Sequence, residues 1–275
     1  MKHKKPLTGI IAGLLIAVLA GTGITSLITY RGPDTIAPHE IQQTVPDDST
    51  AVNEHPSDTD VPEPSNTDPR NSYEPTTWNE ALYPDMYRID GPALIPRNDL
   101  APGDIRYEYD RDSKTQRASA LLSYENYKHG QRERESLSNI EPIGWPDRNG
   151  EADVTFADGT DYHGWFWNRS HLIAHTLGGD DEEYNLITGT RAQNVGKNDM
   201  RGGIQYVEQL IGDYLQNHPD GTVYYFVTPV YLDGENIPRS VFVDARSDDA
   251  SINIHMEVYN AMPGYTIDYV EGTWS

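Results

Sequence analysis

The chain has 275 residues and no cysteine. That excludes disulfides, thiolate metal sites and cysteine nucleophiles. An exported protein without cysteine is held by its core alone or by a bound ion. Basic residues are scarce: 21 Lys and Arg stand against 43 Asp and Glu, a formal net charge of -22. A sequence-independent nucleic-acid binder works by neutralising phosphates and normally reads basic. Residues 1–80 hold 11 of the acids and 5 of the bases, so residues 81–275 keep 32 acids against 16 bases. Any polyanion site must therefore be a small basic cleft on an acidic body. Apolar residues make up 36%, and mean hydropathy is -0.67. Aromatics still reach 10%, with 18 Tyr, 5 Trp and 4 Phe. That is too many for a wholly disordered chain, so part of it builds a core.

One long hydrophobic run is present. Lys2, Lys4 and Lys5 precede Leu7–Tyr30, a stretch of 24 residues without charge. That length can span a hydrocarbon core of roughly 30 Å. Residues 1–31 read as a signal peptide or an uncleaved signal anchor, with the rest exported. No A-x-A cleavage site is evident. The expected location is extracellular, either secreted or held to the cell membrane by this segment. Residues 32–76 are rich in Pro, Asp, Ser and Thr and keep no helical or strand period. They read as an acidic, disordered linker. Residues 77–275 are the expected folded domain.

Within it, Asp158-Gly159 sits between alternating runs and predicts a hairpin. Ile204, Val207, Leu210, Ile211, Tyr214 and Leu215 have helical spacing, stopped by His218-Pro219-Asp220-Gly221. The stretches "TVYYFVTPVYL", "SVFVDARS" and "INIHMEVYNA" are rich in β-branched and aromatic residues. The fold class is α+β with a mainly antiparallel sheet.

The stretch "WNRSHLIAHTLGG", Trp167–Gly179, concentrates chemistry. His171 follows a strand-like aromatic run, where its imidazole can take a proton from water near neutral pH. It can equally be a structural histidine. Arg169 adds a guanidinium suited to phosphate oxygens. His171 and His175 are four apart, which on a helix would share a face and could bind zinc. The metalloprotease motif requires Glu after the first His, and here that residue is Leu172. The acid run Asp180–Glu183 reads as a solvated loop. Arg191, Lys197 and Arg201 form a local basic patch. Asn194 and Asn198 offer amide oxygens suited to hydrated Mg²⁺. Glu208, between apolar positions of the helix, could face the site or lie in bulk water. A base, an arginine, an amide ligand, a carboxylate and a basic patch suit phosphodiester hydrolysis.

"NRSHLIAHTLGG", "YNLITGTRAQN" and "YVEQLI" together resemble the DNA/RNA non-specific endonucleases with a ββα-metal core. The likeness is to their DNA-entry and streptococcal DNase-like branch, over roughly 100–275. The resemblance implies a general base at His171, with Arg169 and Glu208 as further catalytic candidates, a metal-binding Asn194, and Asn185 as a supporting, substrate-binding residue. It implies Mg²⁺, with Mn²⁺ as a substitute, held by one side chain and waters. Arg134 matches an upstream arginine near the substrate phosphates, and Arg191 and Arg201 join it as substrate-binding candidates. DNA and RNA are the implied substrates, with 5′-phosphate products and no protein partner; an uncleaved N-terminal segment adds the membrane. Asn168 and Ser170 stand where the family motif has Asp and Gly. Two alternatives remain: a non-catalytic surface-binding module on the same fold, and a zinc hydrolase using His171 and His175.

Overall fold

A computed structural model describes residues 73–275 except 97, 112 and 135. The expected segment 1–31, and the linker up to residue 72, lie outside the described residues. Ten strands are formed: β1 (Tyr87–Gly91), β2 (Ile105–Tyr109), β3 (Thr115–Ser123), β4 (Glu151–Thr155), β5 (Asp161–Trp165), β6 (Trp167–His171), β7 (Leu186–Thr190), β8 (Thr222–Val230), β9 (Ser240–Ser247) and β10 (Asn253–Tyr259). Three helices join them: α1 (Tyr124–Gly130), α2 (Arg191–Val195) and α3 (Gln205–Asn217). Six strands form one sheet in the order β1-β10-β9-β8-β3-β2. Every neighbour in it is antiparallel.

Alternation puts Ala118, Ala120 and Leu122 of β3 and Val223, Tyr225 and Val227 of β8 on one buried face. Val207, Ile211, Tyr214 and Leu215 of α3 close that core, with Leu172, Ile173 and Leu177 from the loop after β6. The helix begins at Gln205 and runs to Asn217, as its apolar period requires. A second cluster gathers Phe166, Trp167, Val154, Phe156, Tyr259 and Met262. There the ring of Trp274 stacks on Phe166 at 4.5 Å between centroids.

The Asp158-Gly159 turn joins β4 to β5, with Val154 opposite Tyr162. The next pair positions the site. β6 pairs antiparallel with β7, His171 opposite Leu186 and Asn168 opposite Gly189. β7 runs directly into α2, whose N-terminus is capped by Thr190 accepting from the Gln193 amide at 2.9 Å. Strand, strand and helix thus form a ββα unit.

Among the described residues, contacts with the sheet begin at Tyr73, ahead of the boundary expected at residue 77. Tyr73 donates to Asp244 Oδ2 at 2.5 Å, and Thr76 binds both oxygens of Glu257. Among the described residues no helix is long and apolar enough to cross a membrane.

Candidate active site

β6 ends at His171, and the chain then turns back through a short 3₁₀ turn, His175–Leu177. The two histidines are therefore not on one helix. Gly178 reverses the chain at φ 86, a left-handed value that favours glycine. Gly179 packs so closely that an added Cβ would meet the Ile173 carbonyl oxygen at 1.9 Å. This reversal returns the acid run toward β6. Asp181 Oδ1 lies 2.9 Å from His171 Nε2, and Oδ2 lies 3.1 Å from His175 Nδ1. Arg134 Nε approaches the same carboxylate at 3.5 Å.

Asp181 is thus no solvated loop residue; its side chain is 12% exposed. Its neighbours Asp180 and Glu182 carry the same charge, and no local spacing singles it out. The signal in the sequence was the Gly178-Gly179 pair, which makes a tight return to the histidine possible.

His171 is 8% exposed. Burial and the nearby Arg134 guanidinium push its pKa down to about 4, against the opposing pull of Asp181. The imidazole is therefore neutral at pH 7. An ionised carboxylate only accepts, so Nε2 carries the hydrogen and Nδ1 keeps its lone pair.

A cleft of about 640 Å³ is lined by Arg134, Trp145, Arg148, Trp165, Arg169 and Asn194, among others. His171 is not on that lining and connects to it through Asp181 and Arg134. The Arg169 guanidinium carbon lies over the Trp145 ring, 4.0 Å from its centroid. It also donates to the Ile140 carbonyl and to the Ser138 carbonyl at 3.2 Å. It fastens the 138–140 loop while bordering the cleft. Asn168 lines the cleft as well, and its buried Nδ2 has no partner.

Asn194 sits on α2, and its Oδ1 accepts from the Ser170 hydroxyl at 3.3 Å. An amide oxygen has two lone pairs, so one remains for a cation. Oxygen donors of this kind suit a hard, hydrated ion such as Mg²⁺. Among the described residues no group of three or more His, Cys, Asp or Glu is arranged to hold a metal. His171 and His175 instead share one carboxylate beside a guanidinium, which opposes a further positive ion. The two-histidine zinc site has no support in this geometry.

Four expected residues are placed otherwise. Asn185 is fully buried and does not line the cleft. Its Oδ1 accepts from the Ile173 amide at 3.0 Å, and its Nδ2 donates to the carbonyls of Ile173 and Asp180. Both its N–H groups and one lone pair hold the loop that delivers Asp181. Arg191 stacks over Tyr162 at 5.2 Å and does not line the cleft. Arg201 is exposed and also absent from the lining. The basic patch is neutralised at Lys197, which pairs with Asp158 at 2.8 Å and Asp85 at 3.5 Å. Glu208 is half-buried on α3, also off the cleft lining, and burial pushes it up to about 8. Its charge is felt by the buried Tyr225.

A ββα unit with a histidine closing one strand and an asparagine on its helix defines the ββα-metal class of nuclease domain. Residues 97–272 match the family model described as DNA/RNA non-specific endonuclease, and the chain belongs to that family. A deoxyribonuclease of Streptococcus dysgalactiae subsp. equisimilis is 39% identical over 119 residues. That match covers 43% of this chain and 36% of the relative, about a third of its length. The structure of Sda1 nuclease with bound zinc ion is similar at a TM-score of 0.67 and 29% identity, covering 72% of this chain and 99% of that one. NucA from Streptococcus agalactiae with magnesium ion bound has a TM-score of 0.54 at 21% identity, covering 67% and 83%, and shares the fold.

Proposed function

We propose that the chain is an exported, Mg²⁺-dependent, sugar-non-specific endonuclease. It hydrolyses phosphodiester bonds of DNA, and of RNA, to 5′-phosphate and 3′-hydroxyl ends. The observation that carries this reading is the 2.9 Å contact between His171 and Asp181, next to a cleft bordered by Asn194, Arg134 and Arg169. The charge-free N-terminal run supports export.

In this mechanism Asp181 fixes the imidazole with Nε2–H toward itself. Nδ1 of His171 then takes a proton from the attacking water. The water oxygen bonds to phosphorus, the bond to O3′ breaks, and O3′ takes a proton from solvent to leave a 3′-hydroxyl, with the phosphate on the 5′ side. Arg134 and Arg169 offset phosphate charge with the N–H groups not used on Asp181 and the loop carbonyls. Asn194 would hold the divalent ion, which when bound would supply Lewis-acid stabilisation of the charge on the phosphate.

The test is to incubate the full chain with supercoiled plasmid and with RNA, in EDTA and then in Mg²⁺, Mn²⁺ or Zn²⁺ alone. Cleavage in Mg²⁺ and Mn²⁺, lost in EDTA, with products end-labelled only after phosphatase treatment, is expected. A folded protein inert in all three metals contradicts the reading. Activity in Zn²⁺ alone would keep the nuclease and overturn the Mg²⁺ assignment.

A further inference from the structure

The acidity of this protein raises a question that the arginines of the cleft do not answer. Affinity for nucleic acid from counterion release scales with the number of phosphates neutralised. Here the cleft offers Arg134, Arg148 and Arg169 with Asp147 beside them. Arg134 is shared with Asp181, and Arg169 with two backbone carbonyls. A source of binding that does not depend on charge is needed.

The five tryptophans supply one. Trp78 donates its indole hydrogen to the Tyr83 carbonyl at 3.0 Å. Trp145 lies under Arg169. Trp167 is 1% exposed and donates to the Gly272 carbonyl at 3.0 Å. Trp274 stacks on Phe166. Trp165 has neither a stacking partner nor an indole hydrogen bond among the described residues, and it is 55% exposed. Leaving a large ring in water forgoes the stabilisation that burial would give.

Trp165 is nevertheless held in place. It ends β5 and pairs in register with Glu151 of β4. Its carbonyl accepts from Tyr162 Oη at 2.8 Å. The next residue, Phe166, is fully buried and donates its amide to the Gly150 carbonyl at 2.9 Å. A ring with a fixed backbone and a free face, on the lining of the cleft that holds Asn194, is a preformed platform.

We propose that Trp165 is a stacking subsite for an unpaired nucleobase, next to the phosphate cleaved at Asn194 and His171. This rests on the nuclease reading above. Every base has a π-face, so such a platform binds without sequence preference. A paired base is already stacked on its neighbours and cannot offer its face. The cleft should therefore favour single-stranded or locally opened nucleic acid over intact duplex.

The test measures binding and cleavage separately. Fluorescence anisotropy of a labelled single-stranded oligonucleotide is read with the full chain in EDTA, for the wild type, Trp165→Ala and Trp165→Phe. Trp165→Ala is expected to weaken binding by about 5- to 150-fold. The plot of log Kd against log salt should shift without changing slope, because no phosphate contact is lost. Trp165→Phe should recover most of the loss. One abasic position walked along the oligonucleotide should weaken the wild type at one place and leave Trp165→Ala unaffected there. Equal affinity of wild type and Trp165→Ala, or an abasic loss that persists in Trp165→Ala, overturns the subsite. If base-dependent binding holds but no metal supports cleavage, the nuclease reading fails and the subsite stands.

Discussion

Asp181 bridges two histidines: its Oδ1 lies 2.9 Å from His171 Nε2 and its Oδ2 lies 3.1 Å from His175 Nδ1. The carboxylate decides which nitrogen of His171 carries hydrogen. Asp181→Asn keeps the shape but lets an amide N–H face Nε2, which favours the tautomer with hydrogen on Nδ1. Cleavage should fall by roughly 10²-fold or more, mainly in kcat. Asp181 also pulls the His171 pKa up. In the variant the acid limb of the pH profile should move to lower pH. An unchanged profile with unchanged kcat would remove Asp181 from the machinery.

The two histidines should separate sharply on substitution. His171→Ala removes the base and should lower plasmid cleavage by about 10²- to 10⁴-fold. His175→Ala removes one of three partners of Asp181, so much of the activity should survive. Wild-type His171 is pushed down to about 4. Its base form is then retained at pH 6, where an ordinary histidine is largely protonated. Initial rates between pH 4 and 8 check this, and a midpoint near 6.5 would contradict the buried geometry.

Asn194→Ala deletes the amide oxygen proposed to hold the ion, and the Ser170 hydroxyl loses its acceptor. The Mg²⁺ concentration for half-maximal cleavage should rise at least about tenfold. Stability should fall by about 1–3 kcal/mol, since the buried Ser170 hydroxyl is left unpaired. A Mg²⁺ titration of cleavage beside a thermal melt separates the two effects. An unaltered titration would take Asn194 off the ligand set.

Asn185→Ala tests the loop clamp. It strips partners from the Ile173 amide and from the carbonyls of Ile173 and Asp180, all within the protein. Each buried polar group left unpaired costs about 1–3 kcal/mol. A destabilisation of about 3 kcal/mol is expected by urea denaturation, with cleavage lost through displacement of Asp181. Full stability with a raised KM would instead restore Asn185 to the substrate.

Much of the frame was legible because it rests on local pattern. The apolar period of α3 and the Asp158-Gly159 turn each follow from side-chain spacing alone. His171 at a strand end was readable in the same way, whereas the role of Asn194 on α2 came from the resemblance to the family and not from spacing. Pairings between distant segments were not. Lys197 looked like part of a basic patch until Asp85 and Asp158 came within reach of it. Asp181 was one acid among four, and only the chain reversal at Gly178 brings it to His171. Trp165 looked like any aromatic strand residue; its free face emerges only when the other four indoles are seen to be occupied.

A second histidine gives a stability test of opposite sign to His171. His255 Nδ1 sits 2.8 Å from Asp244 Oδ1 on the outer face of the sheet. The hydrogen bond to Asp244 raises its pKa, burial opposes, the charges of Asp244 and Asp90 add to the rise, and Arg88 works against it. The rings of Tyr73 and Phe242 cover it. A raised folded value means the folded state binds the proton more tightly than the unfolded chain. The stability it supplies is complete below the unfolded pKa near 6.5 and is lost as pH rises through the folded value. His171, with its lowered value, does the reverse: stability falls as pH drops from about 6.5 toward 4. His255→Gln should therefore lower Tm more at pH 5.5 than at pH 8.5. Thermal melts of both proteins at the two pH values read the difference directly. A larger loss at pH 8.5 would mean that His255 is held neutral, with Asp244 serving only as an acceptor for Tyr73 and the Leu94 amide.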